Sequence, residues 1–297
     1  MTSQLGLEPS VRKVPFTVAR DGEDVPAILW LPERPAERRP LVLLGHGGGM
    51  HKQSPFIDGL GNWLASGPGF ACLAIDLPIH GERTPPEEIG LSIRERRSRL
   101  GLAAWRERNA GATEQAVGDW QAAIDASQDV DPVAHGPIGY FGLSMGTRFG
   151  VPLIAAEPRI SVAVLGLFGH PATDAESAFA RAARQVTIPV LFLQQWDDEL
   201  FPRDDCLALF DLLASEDKTL HANPGGHLGV PRAELGGAVR FLRRRLGSDN
   251  RGRDDIDGGA SGRDPGSPVA LLQGVRYYVR RAPSPGAARW ASVGLDV

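Results

Sequence analysis

A serine stands between two glycines in the segment GYFGLSMGTRFG, which covers residues 139–150. The pattern Gly142-x-Ser144-x-Gly146 is short enough to arise by chance, so the surrounding sequence decides what it means. The apolar run IGYF precedes the serine, and a helical pattern begins at Met145. A serine on a strand-to-helix turn is the context in which this motif marks a nucleophile, and small flanking residues leave room for the strained turn. Ser144 is therefore a candidate nucleophile, and an ordinary serine in a glycine-rich loop is the alternative.

Two segments further along the chain contain the partners that a nucleophilic serine needs. A serine hydroxyl is a weak nucleophile near neutral pH, so it requires a base, and the base requires an acceptor that orients it. Asp198 lies in QQWDDELFP, four residues before Pro202, and His227 lies in the glycine-rich segment HANPGGHLGV. The chain order serine, acid, histidine is the order of α/β-hydrolases. We predict that His227 takes the proton of Ser144 and that Asp198 orients the imidazole.

Each of these partners has a competitor nearby in the sequence. Asp197 would present its carboxylate instead of Asp198 if the loop were shifted by one residue, but the spacing to Pro202 favours Asp198. His221 falls inside a predicted strand, whereas His227 lies in a predicted loop from which a base can reach the serine. The sequence therefore favours Asp198 and His227.

A run of glycines follows another apolar segment, in LLGHGGGMHK. Acyl transfer creates an oxyanion, and the exposed backbone N–H groups of glycines can approach such an anion closely. We predict an oxyanion hole formed by the N–H groups of Gly48 and Met145, with Gly49 as a further candidate. A flexible glycine turn is the alternative, and a phosphate-binding loop is disfavoured because the segment lacks the Gly-Lys-Ser/Thr ending.

Several histidines raise the question of a metal site. His46, His51 and His80 could be combined with Asp76, but their spacing fits no common zinc pattern. We therefore predict neither a metal nor a cofactor.

Five segments together resemble the α/β-hydrolase superfamily, and within it the dienelactone-hydrolase-like serine esterases: GHGGG, DLPIHGER, GLSMG, WDDELFP and GGHLG. The resemblance covers about residues 14–246. It implies an eight-stranded, mostly parallel sheet, and hydrolysis of an ester, or less often of an amide or thioester, through an acyl-enzyme. Dienelactone hydrolases proper use a cysteine nucleophile where this chain has Ser144, so their lactone substrate is not carried over.

Short apolar segments alternate with helical patterns over the first 247 residues. Unbroken apolar runs such as LVLL and SVAVLGL are typical of strands buried on both faces of a parallel sheet. The alternation predicts a doubly wound α/β architecture with a mostly parallel sheet and helices on both faces, and the resemblance implies that this architecture is the α/β-hydrolase fold. The predicted strands are 16–18, 27–31, 40–44, 70–75, 138–141, 160–167, 189–193 and 218–221, and the predicted helices are 56–65, 114–128, 145–156, 204–214 and 232–246.

Two segments interrupt or follow this alternation. Residues 81–113 are rich in arginine and glutamate, which predicts a short lid-like insertion, with a solvated charged helix as the equal alternative. After residue 247 the chain is dense in glycine, aspartate, arginine and serine, so we predict one domain over 1–247 and a disordered tail over 248–297. The tail segment VALLQGVRYYVRR could dock on the domain, but it lacks periodicity, so we expect no structure for it.

Composition limits the partners and the compartment. The chain has 297 residues, of which 42% are hydrophobic, and its net charge of −4 gives no general attraction to nucleic acid or anionic lipid. The N-terminal segment lacks a signal-peptide pattern, no apolar run reaches the roughly 20 residues that span a bilayer, and the two cysteines fit a reducing compartment. We expect a cytoplasmic enzyme acting on a small-molecule ester, whose substrate identity and oligomeric state stay open. An acyltransferase and a non-catalytic binding protein on the same scaffold are the alternatives.

Overall fold

Nine strands form one sheet in the computed structural model of the chain, which describes residues 10–33, 38–109, 111–130, 136–247 and 276–279. The strands are β1 (Val11–Arg20), β2 (Glu23–Pro32), β3 (Leu41–Gly45), β4 (Ala71–Ile75), β5 (Ile138–Gly142), β6 (Ile160–Gly166), β7 (Val190–Gln195), β8 (Lys218–Asn223) and β9 (Arg276–Val279). The helices are α1 (Pro55–Ser66), α2 (Ile93–Leu100), α3 (Leu102–Asn109), α4 (Ala112–Val130), α5 (Met145–Ala156), α6 (Ala178–Ala183), α7 (Arg203–Leu212) and α8 (Arg232–Leu246).

The strand order in the sheet is β1-β2-β4-β3-β5-β6-β7-β8-β9. β1 and β2 form an antiparallel hairpin, β2 pairs antiparallel with β4, and every pair from β4 to β9 is parallel. The hairpin turns through Asp21 and Gly22, which both have positive φ (52° and 81°), as a tight turn between twisted strands requires. All eight predicted strands are present, so the predicted mostly parallel α/β-hydrolase sheet is confirmed.

The sheet separates two apolar layers. Along β3, Leu41 and Leu43 point into one layer with α4, α5 and α7, whereas Val42 and Leu44 point into the other layer with α1 and α8. Both faces are buried, which explains why the strand reads as an unbroken apolar run rather than an alternating one. The carboxyl ends of the parallel strands all lie at one edge of this double layer, where their connecting loops meet.

The bounds of the predicted helices agree closely with the structure, whereas β1 is much longer than predicted. α5 and α8 have the predicted bounds, and α1, α4 and α7 differ by only one or two residues at each end. β1 runs over ten residues instead of three, because it pairs along its whole length with β2 even though its side chains alternate between half-buried and exposed. Because β1 has few apolar residues, the sequence pattern does not show where this strand begins and ends.

The insertion over 81–113 is largely helical, with short 3-10 turns followed by α2 and α3. α2 begins with a capping box, in which Ser92 and Glu95 each accept from the other's backbone N–H. The buried side chain of Arg96 donates to the backbone oxygens of Leu91 (3.1 Å) and Ile79 (2.9 Å) and thereby fastens the insertion to the loop after β4. That it acts as a lid stays a prediction.

The ninth strand lies in the segment that we predicted as a disordered tail, so the structure differs from the prediction at residues 276–279. β9 pairs in parallel with β8. Without it, β8 would present an unpaired row of backbone N–H and C=O groups at the sheet edge, which an extended segment can satisfy. The rest of 248–297 lies outside the described residues, and the prediction for it stays a prediction. Among the helices that the structure describes, none has the length and apolar character needed to cross a bilayer.

A glycine allows α1 to approach the sheet closely. Trp30 on β2 is completely buried, and an ideal Cβ built on Gly61 would lie only 2.6 Å from its ring. Gly59 lies on the exposed side of the same helix, and a Cβ there would have nothing within 4 Å. Gly59 and Gly61 therefore provide a matched pair of positions at which to test the close packing of α1 on β2.

Alanine at these two positions should have opposite effects on stability. Gly59→Ala should raise the free energy of unfolding by up to about 1 kcal/mol, because alanine favours the helix more than glycine does. Gly61→Ala should lower it by about 1 to 3 kcal/mol, because the added methyl group overlaps the indole of Trp30. Urea unfolding followed by tryptophan fluorescence measures both, and equal effects would contradict the close packing of α1 on β2.

Candidate active site

Ser144 occupies the sharp turn between β5 and α5. Its backbone has φ 58° and ψ −120°, a conformation that costs a non-glycine residue about 1 to 3 kcal/mol. The strain is held by hydrogen bonds, of which the first runs from the Ser144 N–H to the Gly166 oxygen at 2.9 Å. The turn lifts the serine side chain above the carboxyl end of β5, where it is half-buried.

The two glycines of the motif are required because neighbouring groups come close. A Cβ on Gly142 would lie 2.6 Å from the ring of Tyr140, and a Cβ on Gly146 would lie 2.5 Å from the backbone oxygen of Gly45 at the end of β3. The Tyr140 hydroxyl also donates to the Gly146 oxygen at 2.6 Å. The first turn of α5 therefore packs directly on the backbone of β3.

Thr147 fastens this turn to the neighbouring strand, β6. Its hydroxyl accepts from the Gly166 N–H at 2.8 Å and lies 2.9 Å and 2.7 Å from the oxygens of Gly142 and Gly166, one of which receives its proton. The side chain is completely buried. Sequence reasoning missed this residue, because a threonine three positions after a serine has no signal of its own.

The imidazole of His227 bridges the serine and an aspartate. Its Nε2 lies 3.0 Å from the Ser144 Oγ, and its Nδ1 lies 2.8 Å from the Asp198 Oδ2. The other oxygen of Asp198 accepts from the N–H groups of Leu200 (2.8 Å) and Phe201 (3.1 Å). The side chains of His227 and Asp198 are only 6% and 2% exposed, so little water competes for these bonds. With the imidazole proton on Nδ1, Nε2 can accept the proton of the serine hydroxyl.

The two competitors have other partners. The Oδ2 of Asp197 accepts from the Gly225 N–H at 3.0 Å. His221 lies on β8, where its Nδ1 is 2.8 Å from a carboxylate oxygen of Glu234 in α8. The structure thus brings Asp198 and His227 to Ser144 and leaves Asp197 and His221 outside the chain of hydrogen bonds.

The glycine loop after β3 contains the predicted oxyanion residues. Gly48 and Gly49 are exposed, and Gly49 has a φ of 72°, which favours glycine. A Cβ at either position would have nothing within 4 Å, so the space above the loop is open. Met145 is the first residue of α5, and N–H groups in the first turn of a helix have no partner within the helix.

His46 holds the start of this loop. Its Nδ1 lies 2.9 Å from the Gly47 oxygen, and its Nε2 accepts from the Leu77 N–H at 3.2 Å. Burial, together with the nearby His80, lowers the pKa of His46 to about 3. The imidazole is therefore neutral at neutral pH, which is the form in which one nitrogen donates and the other accepts.

Lys52 and Asp76 form a buried ion pair that holds the end of the same loop. The Asp76 carboxylate accepts from the Lys52 backbone N–H (2.9 Å), the Lys52 Nζ (2.8 Å) and the Glu82 N–H (2.9 Å). Burial alone would raise the pKa of Asp76, but the hydrogen bonds from Lys52 and Glu82 outweigh it and lower the pKa. Gly81, with a φ of 56°, lies against this carboxylate, since a Cβ there would be 2.2 Å from its carbon.

An aromatic wall continues from the imidazole. The ring of Phe201 lies 5.8 Å from that of His227 and 4.9 Å from that of Phe168, which in turn contacts Phe179 at 5.5 Å. Leu200 and Leu228, the neighbours of these residues in the sequence, are exposed. The site therefore combines a buried polar chain with apolar surroundings.

Comparison with known proteins places this geometry in context. The model of the dienelactone hydrolase family matches residues 25–222. A PEG-bound, cold-adapted esterase from an Arctic intertidal metagenomic library is 41% identical, with a TM-score of 0.67 and coverage of 80% of this chain and 95% of that one. No curated protein is similar enough to count as a relative.

More distant solved structures share the fold. The acetyl xylan esterase from Paenibacillus sp. R4 is 19% identical, with a TM-score of 0.59 and coverage of 83% of this chain and 87% of that one. Est1E from Butyrivibrio proteoclasticus, solved with ferulic acid, is 19% identical, with a TM-score of 0.58 and coverage of 78% and 99%.

Removing the charge of Asp76 should destabilise the protein. Asp76→Asn leaves the buried ammonium of Lys52 without its main partner, and such a change costs about 3 to 5 kcal/mol. We expect the lower end, about 3 kcal/mol, because Lys52 also pairs with Glu82. Urea unfolding at pH 7 measures it, with Asp125→Asn as the control: Asp125 pairs with Arg159 at the exposed surface, where a pair contributes at most about 1 kcal/mol. Equal losses would show that the Asp76 pair has no special weight.

Proposed function

Because this chain belongs to the dienelactone hydrolase family and is an ester-acting hydrolase, we propose that it cleaves a small-molecule carboxylic ester through an acyl-enzyme on Ser144. One observation carries the proposal: a continuous chain of hydrogen bonds from the Ser144 Oγ through both nitrogens of His227 to the Asp198 carboxylate. Such a chain can activate a hydroxyl at neutral pH without a metal or cofactor.

In the first half of the reaction, the Ser144 Oγ attacks the ester carbonyl carbon while its proton moves to the His227 Nε2. The imidazolium that forms is stabilised by Asp198, whose second oxygen is held by two backbone N–H groups. When the tetrahedral intermediate collapses, the bond to the alcohol oxygen breaks, and the proton on Nε2 passes to that oxygen. The alcohol leaves, and the acyl group stays on Ser144.

In the second half, a water molecule attacks the acyl carbon and gives its proton to the same Nε2. Collapse of the second tetrahedral intermediate breaks the bond to the Ser144 Oγ, which recovers its proton from His227. The acid is released, and the enzyme returns to its starting state.

The N–H groups of Gly48 and Met145, with Gly49 as a further donor, are proposed to bind the oxyanion of both intermediates. Their support is the open space above the two exposed glycines and the position of Met145 at the beginning of α5. A helix N-terminus also favours negative charge nearby. Fixed donors of this kind each contribute about a hundred-fold or more to the rate.

The apolar surroundings of the imidazole and the net charge of −4 support a small, uncharged ester rather than a nucleic acid or a membrane surface as the substrate. The two cysteines, Cys72 and Cys206, are both free and buried, which supports a reducing compartment such as the cytoplasm.

Replacement of the nucleophile is the direct test of this proposal. Ser144→Ala should lower kcat on a p-nitrophenyl ester by about four to six orders of magnitude, because covalent catalysis is lost. A fluorophosphonate probe should label the wild-type protein at Ser144, as shown by peptide mapping, and should not label the variant. Full activity of Ser144→Ala would contradict the proposal, and a folded wild type that takes no label would indicate a binding protein.

A separate experiment distinguishes hydrolysis from acyl transfer. A competing alcohol is added to the reaction, and the products are analysed for a new ester.

The two neighbouring aspartates should respond very differently to loss of charge. Asp198→Asn should lower kcat by about 10⁴-fold, because an amide no longer selects the imidazole tautomer that accepts the serine proton. Asp197→Asn keeps an oxygen that can accept from the Gly225 N–H and should change kcat by less than about tenfold. Steady-state kinetics on the same ester decides between them, and the reverse pattern would transfer the acid role to Asp197.

A further inference from the structure

Three consecutive carboxylates in the loop after β7 contact the histidine loop, residues 224–231 between β8 and α8, at three different points. Asp197 accepts from the Gly225 N–H at 3.0 Å, and Asp198 contacts the His227 imidazole at 2.8 Å. Glu199 accepts from the backbone N–H of His227, also at 2.8 Å. From this arrangement we infer that Glu199 is a positioning residue, which holds the His227 backbone where the imidazole reaches Ser144. The inference rests on the proposed function of the site.

The histidine loop needs an external anchor. Residues 224–231 connect β8 to α8 and include three glycines, Gly225, Gly226 and Gly229, the residue type with the greatest backbone freedom. Within the loop, the Gly229 N–H donates to the Gly226 oxygen at 2.9 Å. That bond closes a turn within the loop but does not hold the loop to the rest of the site. The loop after β7 makes the contacts that do so.

The position of the histidine backbone matters because the imidazole connects two fixed points. Ser144 is held on a rigid turn, and Asp198 is held by backbone N–H groups of its own loop. A displacement of about 1 Å in such an arrangement costs about a hundred-fold in rate. The bond from Glu199 acts on the main chain of the same residue that bears the imidazole, so its loss is transmitted directly to Nε2.

Gly226 provides an independent view of the same contact. A Cβ built on Gly226 would lie 2.7 Å from the Glu199 Oε2, so the carboxylate occupies the space that a side chain would take. The φ of Gly226 lies outside the left-handed region that favours glycine, so alanine at this position would not strain the backbone in that way. An alanine methyl group at this position would therefore have to displace the Glu199 carboxylate.

Two substitutions separate position from charge. Glu199→Gln keeps an oxygen that can accept from the His227 N–H but removes the negative charge. Glu199→Ala removes both. Because Glu199 is exposed, water can take over part of the bond, so we expect kcat to fall about ten- to a hundred-fold in Glu199→Ala, with KM changed less than about twofold. Glu199→Gln should restore kcat to within about threefold of the wild type.

Gly226→Ala should reproduce the kcat defect of Glu199→Ala while the carboxylate is still present, because the added methyl group displaces it. In the double variant the two defects should not multiply, since both break the same contact. Hydrogen exchange of the peptide that contains His227 should rise in Glu199→Ala and stay unchanged in Glu199→Gln. Glu216→Ala, at an exposed position away from the site, is the control and should leave kcat unchanged.

Equal kcat values for Glu199→Ala and the wild type would overturn the inference. Equal defects in Glu199→Gln and Glu199→Ala would also overturn it, because charge and not position would then be the cause. If the wild type has no esterase activity and Ser144 takes no label, the proposed function fails instead. Thermal unfolding monitored by circular dichroism confirms that each variant is folded before its kinetics are compared, and a Glu199→Ala protein that does not fold leaves the decision to Gly226→Ala and Glu199→Gln.

Discussion

The strained backbone of Ser144 is the constraint on which the rest of the site depends. A φ of 58° at a serine is unfavourable, and it persists because the surrounding turn is fixed by the Gly166 oxygen, the Thr147 hydroxyl and the contact of Gly146 with β3. These contacts are buried and lie on the central strands of the sheet. They place the Ser144 Oγ at a fixed point, and every other group must be brought to that point by loops.

The parallel sheet brings the loops of the site close to Ser144, and polar contacts between the loops fix their positions. The loops after β3, β7 and β8 all leave the same edge of the sheet, so they meet without long detours. The glycine loop after β3 is tied to the loop after β4 by His46 at its start and by the Lys52–Asp76 pair at its end. The histidine loop is tied to the loop after β7. Glycines in both loops permit close approach, and charged anchors remove the freedom that glycine brings.

Local sequence patterns point to the candidate residues that stand on sharp local features. Ser144 could be predicted because the strand, the glycines and the helix lie within a dozen residues. His227 and Asp198 stand out as polar residues on loops that follow apolar strands. Thr147, the Asp76 pair and Glu199 could not be found in this way, because each depends on a partner that lies between 19 and 28 positions away in the chain and is known only once the loops are folded. The same reason explains β9, whose pairing with β8 depends on an edge that no local pattern reveals.

The anchors of the glycine loop also link the geometry of the site to pH. His46 takes up a proton near pH 6.5 in the unfolded chain, but burial lowers its pKa to about 3 in the folded protein, so the unfolded state binds more protons between these values. Acidification through this window therefore favours unfolding. Asp76 acts in the same direction at lower pH, because its pKa is lowered on folding and the stability it contributes is lost as the pH falls through that lowered value. Both groups hold the same loop, so the protons that favour unfolding are taken up by the same side chains that fix the glycine loop of the site.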